Sequence, residues 1–207
     1  MPRPAGSTAG QTRARILEVA LELVTERGYA GMSIRDLAER LDLTTAAMYY
    51  HFSSKEALLD ALMAPLQIGL EELSVKARSG SLTDAEVLTA LVALLAGPGA
   101  TAVPVLMTDP SASRQLKTKL EPLRAFETIV AGLASSQDPG DVLRARCAVS
   151  VVQGAVVTCA HTHRRQGATW SGFDESERAI VVAAALAALR SGVDHDGSAS
   201  VRQEVRP

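Results

Sequence analysis

Two clusters of residues in this chain have the types and spacing to do chemistry. The first is Cys159, His161 and His163, a Cys-x-His-x-His run of metal-ligating side chains. Cys159 and His163 are four apart and share a helix face, but His161 points elsewhere and no carboxylate stands nearby at ligand spacing. The run reads better as a helix end, because Arg164-Arg165-Gln166-Gly167 follows and cations suit a helix C-terminus. No metal and no cofactor is expected. Cys147 and Cys159 stand twelve residues apart on one predicted helix, too far to bridge within the chain; a redox role for either stays open. There is no Ser/His/Asp ordering, nucleophile elbow or Walker loop, and Gly97-Pro98-Gly99 has the wrong spacing to cradle a phosphate. An enzyme is not expected.

The second cluster is polar and aromatic. Tyr29, Tyr49, Tyr50 and Phe52 fall within 24 residues of one another, in a chain that is only 3% aromatic. Thr44, Thr45 and Ala46 precede the last three. Small side chains let a helix sink into a DNA major groove, Thr hydroxyls donate or accept at base edges, and methyl groups pack on thymine methyls. Tyr49, Tyr50 and His51 carry hydrogen-bonding groups suited to phosphate, His51 being either a phosphate donor or a helix-end cap, and Lys55 would combine its ammonium with the free N–H groups of a helix's first turn. The spacing of Tyr49 and Phe52 points both inward, toward a core. Ser33 is first a helix cap. The candidate DNA contacts are Ser33, Thr44, Thr45, Ala46, Tyr49, Tyr50, His51 and Lys55. Arg3, Arg13 and Arg15 are solvated charge or an arm that follows the minor groove.

The elements that position these residues can be read from periodicity and caps. A helix begins at Gln11, with Ile16, Ala20, Leu23 and Val24 at i, i+4, i+7 and i+8, and Gly28 stops it. Ser33, with Asp36 three residues on, caps a second helix whose Ile34, Leu37, Ala38 and Leu41 share a face. Asp42-Leu43 is a short break, Thr44 caps a third helix through Tyr50, and Ser53 or Ser54 caps a fourth from Lys55. Two short helices joined by a tight turn have the dimensions of a helix-turn-helix, whose second helix enters the major groove. Further helices are expected near 66–78, 83–96, 101–108, 113–134, 141–166 and 175–191, with Pro65 kinking or dividing the fourth helix and Pro122 bending the long central one. Alanine at 34 of 207 positions favours an all-α fold.

Composition narrows the partners. Net charge is −2, with 7 basic and 8 acidic side chains in residues 1–60 and 14 and 15 in the rest, so any nucleic-acid site must be local. The start, Met1-Pro-Arg-Pro, has no apolar run of a signal peptide, and the longest apolar stretches, Cys147–Ala160 and Ala179–Leu189, are shorter than a membrane span. Two cysteines suit a reducing compartment. A cytoplasmic protein without a membrane partner is expected.

Residues 15–59 make the pattern specific: Arg-Ile-Leu-Glu-Val-Ala-Leu-Glu-Leu-Val, Gly28-Tyr29, Ser33-Ile-Arg-Asp-Leu-Ala, and Met48-Tyr49-Tyr50-His51-Phe52-Ser-Ser-Lys55-Glu-Ala-Leu-Leu59. Ungapped over some forty-five residues, this segment resembles the DNA-binding domain of the TetR family of bacterial transcriptional regulators. The resemblance covers about a quarter of the chain. It implies a dimeric, all-helical regulator whose larger C-terminal domain binds a small effector and forms the dimer, and a Ser33 that also touches the DNA backbone. Two departures stand out. Asp42 occupies the turn position that usually carries Gly, and Thr44-Thr45-Ala46-Ala47 replaces the Lys, Gly or Pro often found there. Asp tolerates the left-handed region, so the turn survives.

The expected organisation is a flexible arm at 1–10, a helix-turn-helix DNA-binding domain at 11–60 (motif about 33–52), a helical effector-binding and dimerisation domain at 61–192, and a disordered tail at 193–207. Helices 141–166 and 175–191 are apolar almost all round, so one side is expected to face the chain's own core and the other a twin. Ala148, Val152, Ala155, Ile180, Ala184 and Ala188 are the candidate dimer contacts. Leu94, Leu106, Met107, Phe126 and Ile129, with few charges around them, line either a pocket or a filled core; Gln153, alone among apolar neighbours, is an effector contact or a bond across the dimer. The expected function is a ligand-responsive repressor, released from a double-stranded DNA operator by a small, largely apolar effector. An activator, a regulator answering to a protein partner, and a small-molecule binding module that has lost DNA binding are the alternatives.

Overall fold

A computed structural model describes residues 9–97, 106, 109–117, 120–168 and 170–191. Among them nine named helices follow one another and no strand occurs: α1 (Ala9–Gly31), α2 (Ile34–Leu41), α3 (Thr45–His51), α4 (Lys55–Arg78), α5 (Asp84–Ala96), α6 (Pro110–Lys117), α7 (Leu120–Leu133), α8 (Pro139–Arg165) and α9 (Glu175–Arg190). Short polar side chains set most of the starts. Ser33 Oγ accepts from Asp36 N at 3.1 Å while Asp36 Oδ2 accepts from Ser33 N at 3.0 Å, a capping box on α2. Thr83 with Glu86 and Asp174 with Glu177 repeat that box at α5 and α9. Thr44 and Ser54 cap α3 and α4 through the amides of Ala47 and Ala57.

Several boundaries differ from expectation, each for a local reason. Helix α1 starts at Ala9, so two residues of the expected arm are helical; residues 1–8, Arg3 included, lie outside the described residues. Pro65 does not divide α4, which runs on through it. Its ring is exposed, while Leu58, Leu59 and Met63 before it and Leu70 and Leu73 after it are buried, so packing on both sides outweighs the missing backbone bond. The expected helix 113–134 is two helices. Asp109 and Pro110 supply a cap and a first-turn proline for α6, and Pro122 lies in the first turn of α7, where a missing N–H costs no intrahelical bond. Of the segment expected near 101–108 only Leu106 is described; Met107 and the tail 193–207 lie outside the described residues.

Two apolar cores organise the chain. The first gathers Ile16, Leu23, Met32, Leu37, Met48, Phe52, Leu58 and Leu59 from α1 to α4, and takes in Leu106 and Ala112 from far along the sequence. The second centres on Leu88, Leu91 and Leu95 of α5, with Leu70 and Leu73 of α4, Ile129 and Leu133 of α7, Val152 and Val156 of α8, and Val181 and Ala185 of α9. Leu66 packs against both, so α4 is the shared strut. Full burial of one such leucine is worth roughly 1.5–3 kcal/mol. At Gly132 a Cβ would come within 2.7 Å of the Ala77 backbone, so glycine lets α7 and α4 cross closely. Trp170 and Phe173, ring centroids 5.0 Å apart at 76°, close this core, and the Phe173 amide donates to the Ala96 carbonyl at the end of α5.

The expected dimer contacts divide. Ala148 and Val152 are completely buried in the chain's own core, with Ala145, Val149 and Val156 on the same stripe of α8, so they cannot also face a twin. Ala155 and Ala188 are half-buried. Ile180 is 68% exposed and Ala184 lies beside it in the open; Leu143, 61% exposed, and Cys147 face outward from α8. The pocket expectation fares less well. Ile129 is filled core, Leu106 belongs to the first core, and Leu94, Phe126 and Gln153 are only half-buried. An open cleft of about 600 Å³ lies instead between α4 and α7, where Glu71, Arg78 and Arg124 stand beside Ile68 and Ala125. Over Pro139–His163, α8 is long and apolar enough by length and composition to cross a membrane, contrary to expectation, because the helix runs unbroken through Gln153. Its buried stripe packs on α9, α7 and α5.

Candidate nucleic-acid interface

The helix-turn-helix is built by α2, a three-residue corner (Asp42, Leu43 and the cap Thr44) and α3. Asp42 sits in the left-handed region (φ 53°, ψ 41°), and the amide of Leu43 returns to the Ala38 carbonyl at 2.9 Å. A short polar side chain thus does what glycine does in such corners. Met48 and Phe52, one turn apart, anchor the inner side of α3 at 0% and 2% exposure. The opposite face is exposed. Thr45 and Ala46 are exposed, and one turn on, Tyr49 and Tyr50 are 52% and 81% exposed. Tyr49 is therefore a surface residue and not the core residue its spacing to Phe52 suggested: Met48 holds the inward position four residues before Phe52, which turns Tyr49 out.

The remaining candidates are partly committed within the chain. Thr44 Oγ1 accepts from Ala47 N at 3.1 Å, leaving its hydroxyl hydrogen to donate outward. Ser33 is engaged on both sides of its capping box, its hydroxyl donating to Asp36 Oδ2 at 2.7 Å. His51 is half-buried, its ring edge-on to Tyr50 at 5.2 Å. Lys55 differs most from expectation. Its ammonium donates to the Ala30 carbonyl at 3.4 Å and lies 4.4 Å from the centroid of the Tyr29 ring, a cation–π contact. Burial holds this ammonium below the ordinary lysine pKa. Burial first, then Glu56, Asp60 and Asp109, pushes the Tyr29 phenol up to about 12. In the free chain Lys55 serves the first core's edge as well as the surface.

Other cations near α3 are also committed, which the sequence did not show. Arg13, though exposed, donates to the His51 carbonyl at 2.7 Å and stacks 4.1 Å over the Phe52 ring, so it is more than solvated charge. Arg40 forks onto Glu26 at 3.1 and 3.2 Å, joining α2 to α1. The surface thus offers hydroxyls and methyl groups at the start of α3, phenols along it, and positive charge at its rim. Small groups of that kind suit base edges, and polar ones suit phosphates.

The Cys-x-His-x-His run closes α8. His163 Nδ1 donates to the Cys159 carbonyl at 2.9 Å, and the Ala168 amide returns to the His163 carbonyl at 2.9 Å past Gly167, whose φ is +73°. Among the described residues no group of three or more His, Cys, Asp or Glu is placed to hold a metal ion.

Comparison with known proteins points the same way. Residues 16–62 match the sequence profile of the bacterial regulatory proteins of the tetR family. The chain is 48% identical over 50 residues to the class C tetracycline repressor protein of Escherichia coli, an alignment covering 24% of this chain and 23% of that one. It is 34% identical over 64 residues to the transcriptional repressor KstR2 of Rhodococcus jostii, covering 30% and 31%. These alignments span less than a third of the curated relatives' length. Over nearly the whole fold, the crystal structure of the TetR-family regulator PfmR from Thermus thermophilus is similar, with a TM-score of 0.58 and 25% identity over 86% of this chain and 98% of that one.

Proposed function

Because the chain belongs to the TetR family of bacterial regulatory proteins, we propose that it is a homodimeric, cytoplasmic transcriptional repressor, released from a double-stranded DNA operator by a small, largely apolar effector. Regulators of this family bind DNA operators and small-molecule effectors, and the function proposed is binding, not catalysis. The observation that carries the DNA-binding part is the outward face of α3. Thr45, Ala46, Tyr49 and Tyr50 stand in solvent while Met48 and Phe52 fix the helix from behind.

Supporting the dimer, α8 presents Leu143 and Cys147 outward and α9 presents Ile180 and Ala184, apolar positions that include small residues permitting close approach. The second core is apolar, aliphatic but for Trp170, Phe173 and the Phe126 at its edge, and an apolar effector would match such surroundings. An effector using the cleft between α4 and α7 would instead be amphiphilic, since both signs of charge line it. The test is selection of bound fragments from a random duplex pool by the full chain. A palindromic site with half-sites about one helical turn apart, or a multiple of that, is the expected product. A pool that stays unenriched overturns the reading.

A further inference from the structure

Ala30 is held at both of its backbone polar groups by side chains from elsewhere. Its amide donates to Asp109 Oδ2 at 3.1 Å, across 79 residues of sequence, and its carbonyl accepts from Lys55 Nζ at 3.4 Å. Asp109 is only 5% exposed. Its other oxygen accepts from the amides of Ser111 and Ala112 at 2.8 and 3.1 Å, which caps α6, and the Tyr29 backbone also bonds this carboxylate. A buried carboxylate is costly unless its lone pairs are met, and here donors from two separate helices meet them. The junction also shapes α1. Gly28 turns the chain there with φ +74°, and a Cβ on it would come within 3.0 Å of Asp109 Oδ2.

We infer that Asp109 is a positioning residue for the helix-turn-helix: by bonding the end of α1 and the start of α6 with one carboxylate, it sets the DNA-reading unit against the rest of the chain. The lever arm is short. Met32, whose amide donates to the Tyr29 carbonyl, is buried, and Ser33 immediately caps α2. Leu106 and Ala112, on either side of Asp109, sit in the same core as Met48 of α3. Displacing Asp109 therefore displaces the platform on which α3 rests. Lys55 strengthens the junction from the other side, its positive charge facing the carboxylate while its proton holds Ala30. The inference rests on the DNA-binding reading for its consequence but not for its geometry.

The test uses the full chain with Asp109→Asn and Asp109→Ser. Either side chain still caps α6, but Asn has one acceptor oxygen and opposes the other amides with its own N–H groups, and Ser is too short to reach α1. Hydrogen exchange over residues 28–32 should quicken about tenfold in both variants, with residues 16–24 and 84–96 unchanged. Binding to a duplex selected by the unmodified protein should then fall about tenfold relative to a scrambled duplex, whose affinity stays within about twofold, because phosphate contacts survive while the setting of the half-sites does not. If the unmodified protein selects no duplex, the DNA-binding reading fails and the exchange pattern alone decides the junction. Unchanged exchange over 28–32 overturns the inference. So does protection lost equally over 84–96 in both variants, or an unchanged preference for the selected duplex.

Discussion

Arg13 and His51 are joined across the helix-turn-helix, the guanidinium of one donating at 2.7 Å to the carbonyl that ends α3 on the other. The last carbonyls of a helix lack intrahelical donors, so a cation there satisfies a group that water would otherwise serve. The same guanidinium lies over Phe52, so α1 grips α3 by a polar and an aromatic contact at once. Arg13→Ala should lower stability by about 1 kcal/mol and weaken operator and scrambled DNA alike. Urea midpoints and gel-shift titrations check this; an unchanged midpoint with a smaller salt slope would make Arg13 a phosphate contact instead.

Lys55 is committed to Ala30 and Tyr29 before any DNA arrives. Lys55→Met should therefore lower stability and affinity for every duplex while changing the salt slope by much less than one counterion per subunit. A free phosphate contact would cost about one. Affinity measured between 50 and 200 mM salt separates the two.

Acid should loosen the junction. Burial alone would raise the Asp109 pKa, but the backbone amides of Ala30, Ala112, Ser111 and Tyr29 outweigh it and hold the carboxyl below its usual value. The unfolded chain then binds more protons than the native one through this window, so the contribution is fully present above the ordinary aspartate value near 4 and is lost as pH falls through the lower, native one. Asp109→Asn should flatten that part of the stability curve. Equal slopes for the two proteins from pH 5 downward would show that other carboxylates, such as those of the capping boxes, account for it.

The two apolar helices give a clean contrast. Ile180→Glu and Ala184→Glu place a carboxylate on the outer face and should yield a folded monomer in sedimentation. Val152→Glu buries one in the chain's own core and should cost several kcal/mol of fold stability. A dimer that survives both outer changes removes α9 from the interface.

Local order was legible where a side chain acts on its own neighbourhood. Ser33 with Asp36 announces a capping box, Thr44 a helix start, and Asp42 a left-handed corner, and each takes that conformation. Two kinds of information were not there to read. Helices apolar all round do not say which stripe faces inward, so Ala148 and Val152 could not be told from the outward Ile180. Pairings across long separations leave no local pattern either. Asp109 followed by Pro110 marks a helix start, but nothing near it points to Ala30; Arg13 gives no sign of His51. For the same reason the sequence left pocket and filled core open for Leu94, Leu106, Phe126 and Ile129, of which Leu106 and Ile129 lie in the two cores and Leu94 and Phe126 are half-buried.

The central claim is that the outward face of α3 reads base edges, and base preference at Thr45 and Ala46 tests it most directly. In the proposed docking those residues meet the groove, whereas Tyr50, 81% exposed farther along, is assigned to phosphate. Thr45→Ala and Ala46→Val, put through duplex selection beside the unmodified chain, should change the preferred base at one position of each half-site, by about 1–3 kcal/mol. Tyr50→Phe should weaken all duplexes without altering the preferred site. An identical selected site for all four proteins, with Thr45→Ala weakening operator and scrambled DNA by the same factor, would contradict the account.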